Sequence, residues 1–239
     1  MSPSQLPVEI ITSVCGLVVM NQLPGFMLVN KSFHDIAEKR LYVVIDVDLF
    51  DSQRRVQATK CLCSLTQNRF AAEVVRSITA RGLGVVDYTL RDLFVRALKC
   101  TIGLSALTLL LLVSPDTSSF PEPLTPDFLP RLSALNVDDP DTLIQLVPGR
   151  PVDTVRAEDT IHRSSLDRVV AALFPSTSPI QHLQVKLYGA GQRGILASFS
   201  VITGKPFGDL VSLSLQFVLP PPLLAWEPLQ VITCFTSIQ

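Results

Sequence analysis

The sequence predicts an α/β protein in which a short N-terminal segment of three helices precedes a solenoid of stacked βα units. Three observations lead there. Residues 1–42 carry apolar side chains at helical spacing. From Val43 onward, short β-like runs alternate with helix-compatible stretches. The runs return every 20 to 30 residues, the period of βα solenoids.

In the first segment, Pro7 suits an opening helical position and Glu9 sits in the first turn, where the helix dipole favours a carboxylate. Ile10, Val14 and Val18 recur every fourth residue beside Ile11 and Cys15, giving one amphipathic helix. A second short helix is expected from about Pro24 to Val29. A third is expected from Ser32, where Ser32 and Asp35 form a capping-box pattern ahead of Phe33, Ile36, Ala37 and Leu41. Three such helices are too small to be stable without a neighbour.

The β-like runs are VVIDVDL from Val43 to Leu49, then VVRSITA, LSALTLLLL, RLSALNVDD, PVDTVRAED, IQHLQVKLY and LVSLSLQFV. The last six align on Ile78, Leu107, Leu135, Val155, Leu183 and Leu213. Between them lie QRRVQATKCLCSLTQNRFAAEVV, YTLRDLFVRALKCTIGL and SSLDRVVAALF, the last with Leu166, Val169, Val170 and Leu173 on one face. A unit of this kind buries its apolar face only against its neighbours, so the units should share one core with a parallel ladder along one side. Irregular loops are expected at SPDTSSFPEPLTP and VLPPPLLAWEP. The chain is read as residues 1–42, a helical module, and 43–239, the repeat domain.

Composition sets the outer limits. With 239 residues, 47% hydrophobic and 17% charged, the chain can bury a substantial core. A formal net charge of -1 supplies no basic excess, so neither nucleic acid nor an anionic membrane is an expected partner. The five cysteines are odd in number and scattered among apolar residues, which fits reduced thiols and a cytoplasmic or nuclear protein. MSPSQLPVEI enters an amphipathic pattern directly, so no secretory leader is expected. The apolar run from Leu104 to Val113 has about half the length of a membrane-spanning helix and reads as a buried strand.

At LPVEIITSV followed by FMLVNKSFHDIAEKRLY the chain resembles an F-box, carried by Leu6, Pro7, Glu9, Ile10, Ile11, Val14, Leu23, Leu28, Val29, Phe33, Ile36, Ala37, Leu41 and Tyr42. With the repeats that follow, the layout is similar to F-box proteins with divergent leucine-rich repeats of mushroom-forming fungi. The resemblance implies that the module docks on a Skp-type adaptor, which links it to a cullin scaffold, while the repeats hold a protein substrate for ubiquitination by other subunits. It assigns adaptor contact to Leu6, Pro7, Glu9, Ile10, Ile11, Val14, Leu28, Val29, Phe33, Ile36 and Leu41. Pro24 and Gly25 depart from the family's helix formers and should shorten the second helix. The apolar ending LQVITCFTSIQ, with no polar unit after it, reads as a truncated or degenerate array.

Other chemistries find less support. YGAGQRG, with Gly189, Gly191 and Gly194 spaced G-x-G-x-x-G after a strand, matches the dinucleotide fingerprint and is the basis of a distant alternative, a nucleotide-binding enzyme. Its context differs, since Asp209 precedes the next strand and too little chain follows to complete a nucleotide-binding sheet. His34, His162 and His182 lack metal-ligand spacing, and Cys61 and Cys63 are two apart on an expected helix, where they do not share a face. No G-x-S-x-G context supports a hydrolase triad built from His162 and Asp167. Asp138 to Asp141 follow a strand directly, where turn and cap chemistry places Asp and Pro, though loops at one edge of a solenoid also carry recognition. The expected protein is therefore non-enzymatic and without a cofactor, either a ligase adaptor or a repeat scaffold whose first helices act as a cap.

Overall fold

A computed structural model describes residues 6–83, 86–110, 120, 124–188, 209–218 and 232–236. Within them the chain is an α/β protein built on a sheet of eight strands in sequence order, with eight α-helices.

The N-terminal helices are α1 (Val8–Leu17), α2 (Leu23–Met27) and α3 (Lys31–Val43), with a 3-10 turn at Met20–Gln22. Pro7 stands one residue before α1 in extended conformation, and its carbonyl accepts from the Ile10 and Ile11 amides. Pro24 lies in the first turn of α2, where a missing N–H breaks no helical bond. The helix ends at Met27, short of the expected Val29. The start of α3 also differs from expectation. Asn30 caps it, accepting from the Phe33 amide at 3.0 Å, because a capping residue must stay extended and Ser32 is already inside the helix. Ile11, Cys15, Leu23, Phe33 and Ala37 form a small core for this module, separate from the main one.

The next residue after α3 opens the sheet. Its strands are β1 (Val44–Asp48), β2 (Ser77–Arg81), β3 (Ala106–Leu110), β4 (Ala134–Val137), β5 (Thr154–His162), β6 (His182–Tyr188), β7 (Ser212–Val218) and β8 (Ile232–Thr236). β1 to β7 are parallel, each paired with its sequence neighbours. Ile45, Ile78, Leu107, Leu135, Val155, Leu183 and Leu213 stand side by side in one row, so the six residues aligned from sequence are true register partners. The way each unit begins repeats as well. The carbonyls of Arg76, Ser105, Ser133, Asp153 and Gln181 each accept from two successive amides at the start of the following unit, at 2.8 to 3.0 Å.

β8 breaks the pattern by pairing antiparallel with β7. A parallel return needs a crossover of a dozen or more residues, usually a helix. The connection to β8 lies outside the described residues.

Five helices connect the parallel strands: α4 (Ser52–Gln67), α5 (Arg69–Val74), α6 (Tyr88–Cys100), α7 (Pro140–Leu146) and α8 (Arg163–Leu173). α4 and α5 occupy the stretch that reads as one helix from sequence. Asn68 divides them, its amide closing α4 on the Ser64 carbonyl and its side chain capping α5 through the Ala71 amide. α7 is an added element, grown from the DDPD turn. Asp139 accepts from the Asp141 and Thr142 amides, and Pro140 takes the first position. Asp51 and Asp87 cap α4 and α6 in the same way.

Every second strand residue points to one side, and those residues form a continuous core with the helices. Leu107 and Leu109 of β3 and Phe94 and Leu98 of α6 all belong to this core, each at most 1% exposed. Full burial of each such side chain contributes about 1.5–3 kcal/mol. The helical module rests on the β1 end of this body. Tyr42 Oη lies 3.2 Å from Ser64 Oγ, and Lys39 Nζ sits 5.7 Å from the centre of the Phe70 ring.

Candidate functional site

Two surfaces stand out, one on the helical module and one on the sheet. On the module the exposed apolar residues are concentrated. Of the sixteen large hydrophobic side chains that are exposed among the described residues, eight lie between Leu6 and Val29. Leu17 and Leu28 are the extremes, 89% and 88% exposed. The origin is local: helices of ten and five residues cannot turn all their apolar positions toward a core as small as Ile11, Cys15, Leu23, Phe33 and Ala37.

The structure sorts the residues that the resemblance assigns to adaptor contact. Leu6, Pro7, Glu9, Ile10, Leu28 and Val29 are exposed. Ile11 and Phe33 are buried in the module's own core, and Val14, Ile36 and Leu41 pack half-buried against it. Val8, Leu17, Val19 and Met20 are outward-facing apolar residues that the motif match did not single out. Val8 and Leu17 share α1 with the motif residues Glu9, Ile10, Ile11 and Val14, and the two ends of that helix were the available signal.

The second surface is the face of the sheet opposite the helices. Parallel sheets are ordinarily covered on both faces. Here every residue on that second face is half-buried or exposed among the described residues of β1 to β7. Its central row is Asp46, Thr79, Thr108, Asn136, Arg156, Gln184 and Ser214, register partners across seven strands. The sequence held a signal for this row that the period alone did not expose: the residue after every aligned apolar position is polar. Asn136 Oδ1, at the middle, is buried without a hydrogen-bond partner among the described residues.

Ion pairs border the face. At one end Arg81 pairs with Asp46 at 3.2 Å, and Arg54 of α4 with Asp48 at 2.9 Å. Hydrogen bonds from the Phe50 amide and the Arg54 guanidinium hold the Asp48 carboxyl below its ordinary pKa. Further along, on β5 and β6, Glu158 pairs with both Arg156 and Lys186, the latter at 3.2 Å. A register shift in β5 between Arg156 and Thr160 inserts the bulge on which Glu158 sits.

The remaining candidates are dispersed. His34 accompanies α3, His162 precedes α8 and His182 opens β6, and among the described residues no cluster of His, Cys, Asp or Glu could hold a metal. Cys61 and Cys63 lie on α4 as free thiols; burial pushes the Cys61 thiol up from its ordinary pKa. Cys15 is fully buried, while Cys61, Cys63 and Cys100 are half-buried. A recess of about 370 Å³ lies along α4 beside Thr59, Lys60, Cys63, Ser64, Gln67 and Asn68. The glycines of YGAGQRG lie outside the described residues, as does the start of the connection to β7. No helix among the described residues is long and apolar enough to cross a membrane.

Among the described residues, the fold is a parallel α/β sheet with its helices on one face and a helical module rich in exposed apolar residues at its first strand. A scan against protein-family models matches none, and no curated protein matches the chain.

Proposed function

We propose that the protein is a substrate-recognition adaptor of a Skp-cullin-F-box type ubiquitin ligase, its helical module an F-box and its sheet a leucine-rich-repeat-like solenoid. The observation that carries the reading is the apolar surface between Leu6 and Val29, which holds half of the exposed large hydrophobic side chains among the described residues. Concentrated exposed apolar surface of this kind marks a docking site for a partner. Leu6, Pro7, Ile10, Leu28 and Val29 are the contact residues in this reading, with Ile11 and Phe33 holding the helices that present them. The open sheet face is the substrate surface, and the ubiquitin chemistry belongs to other subunits.

A Leu6→Ala/Pro7→Ala double variant tests it by co-purification with the Skp-type adaptor. Loss of the adaptor with an unchanged melting temperature supports the proposal; full adaptor binding by the double variant, or none by the wild type, overturns it.

A second reading has its own observation. α3 packs on α5 and passes straight into β1, so the helices also cover the first edge of the sheet core. If capping is their whole role, the protein is an interaction scaffold without ligase recruitment, and the same double variant lowers stability with no adaptor to lose.

A further inference from the structure

We propose that the protein forms a dimer with a second copy of itself, the two β8 strands pairing antiparallel through their outer edges into one continuous sheet. The inference goes beyond the adaptor reading and uses neither the helical module nor the open face.

A strand inside a sheet spends its main-chain N–H and C=O groups on two neighbours. β8 has one. The sheet order ends with it, its residues Ile232–Thr236 pair with Leu213 to Phe217 of β7, and among the described residues no main-chain bond reaches its other edge. Such an edge is a template for another strand unless charges, Pro or a covering element block it. The segment ITCFT holds no charged residue and no Pro, and β-branched and aromatic residues favour extended backbone. β1, the other outer strand, is the contrast. It carries Asp46 and Asp48 within five residues and continues directly from α3 of the helical module.

The matching occupant is an identical strand. It has the length of β8, and with no charge it meets no like-charge repulsion across the new ladder. Symmetry fixes the direction. A two-fold axis normal to the sheet sets one β8 antiparallel to the other and leaves both helix layers on the same side. β8 already runs antiparallel to β7, so the joined sheet extends that ladder. The assembly also closes at two copies. Among the described residues, the edges left on the joined sheet are two copies of β1, where the carboxylates of Asp46 and Asp48 oppose further addition.

Sedimentation velocity on the full chain, in reducing buffer so that no disulfide contributes, tests the proposal up to high micromolar concentration. A monomer–dimer equilibrium is expected, with amide hydrogen exchange of Ile232–Thr236 slowing as concentration rises. Successive residues of an antiparallel strand direct their N–H groups to opposite edges. Of Thr233→Pro and Cys234→Pro, one therefore removes a bond to β7, and the other blocks only the outer edge. The variant that keeps the wild-type melting temperature should weaken the dimer at least tenfold. If both variants melt early, the hydrogen exchange of the wild type decides. A wild-type chain that stays monomeric, exchange at Ile232–Thr236 that ignores concentration, or a dimer undiminished in the stable proline variant overturns the proposal.

Discussion

Arg150 Nε donates to the Phe128 carbonyl at 2.6 Å, and the guanidinium lies 5.8 Å from the ring of the same residue. Its other nitrogens reach the carbonyls of Thr125, Leu146 and Pro148 at 2.8 to 3.0 Å, and that of Gln145 at 3.4 Å. The side chain is fully buried, and burial pushes its pKa down from the ordinary arginine value. One arginine thus ties the segment before β4 to the end of α7 through five main-chain carbonyls. Arg150→Ala should lower stability by about 3 kcal/mol, read by denaturant melts. Arg150→Lys should recover little, because an ammonium cannot reproduce the planar fork of donors. Near-wild-type stability of either variant would contradict this role.

Two glycines should respond to alanine with opposite signs. Gly82 follows β2 at φ +80°, and a Cβ there would lie 3.1 Å from the Phe50 amide nitrogen. Gly82→Ala should cost about 1–2 kcal/mol. Gly25 lies inside α2 with nothing within 4 Å of an added Cβ. Gly25→Ala should stabilise the protein by up to about 1 kcal/mol through helix propensity. Thermal melts of the pair check both signs.

Leu23 and Leu28 separate core from surface within the helical module. Leu23 is fully buried, and Leu23→Ala should cost about 2–4 kcal/mol. Leu28, 88% exposed, should tolerate alanine within about 0.5 kcal/mol. Equal losses in urea melts would mean that the exposed apolar residues of this module are structural.

Acid should act through the carboxylates at the strand ends and helix starts. Hydrogen bonds from the Thr89 hydroxyl and the Leu90 amide hold Asp87 below its ordinary pKa. A carboxyl depressed in the folded state favours folding fully above its unfolded value of about 4, and that contribution is lost as pH falls through the lower folded value. Asp87→Asn keeps a cap acceptor and removes the titration. Melting temperature should therefore fall less steeply below about pH 4 in this variant than in the wild type. An unchanged slope would assign the acid sensitivity to other groups.

Much of the sheet is legible in the amino-acid sequence, and particular residues show why. The apolar positions from Ile78 to Leu213 align because each strand must turn its alternate side chains toward the same core, which imprints the register on the sequence. The cap at Asp139 is legible for a similar reason, since an Asp before a Pro satisfies amides within its own turn. The break at Asn68 is not. The run on either side is compatible with a single helix, and only the structure shows Asn68 extended, closing α4 with its amide and capping α5 with its side chain.

The succession of elements, the period of the units and the polar row that follows each aligned apolar residue are all written in the order of the amino acids. They arise from contacts a few residues apart or from the two-residue alternation of a strand. Packing in three dimensions settles other features. Ile11 turns inward while Ile10 beside it is exposed, Arg150 is enclosed by carbonyls from residues 125 to 148, and β8 runs against β7. Each depends on what lies across space, which local pattern does not record. The same holds for the open face: periodicity shows that a strand has two sides, and only the packed molecule shows that helices cover one of them.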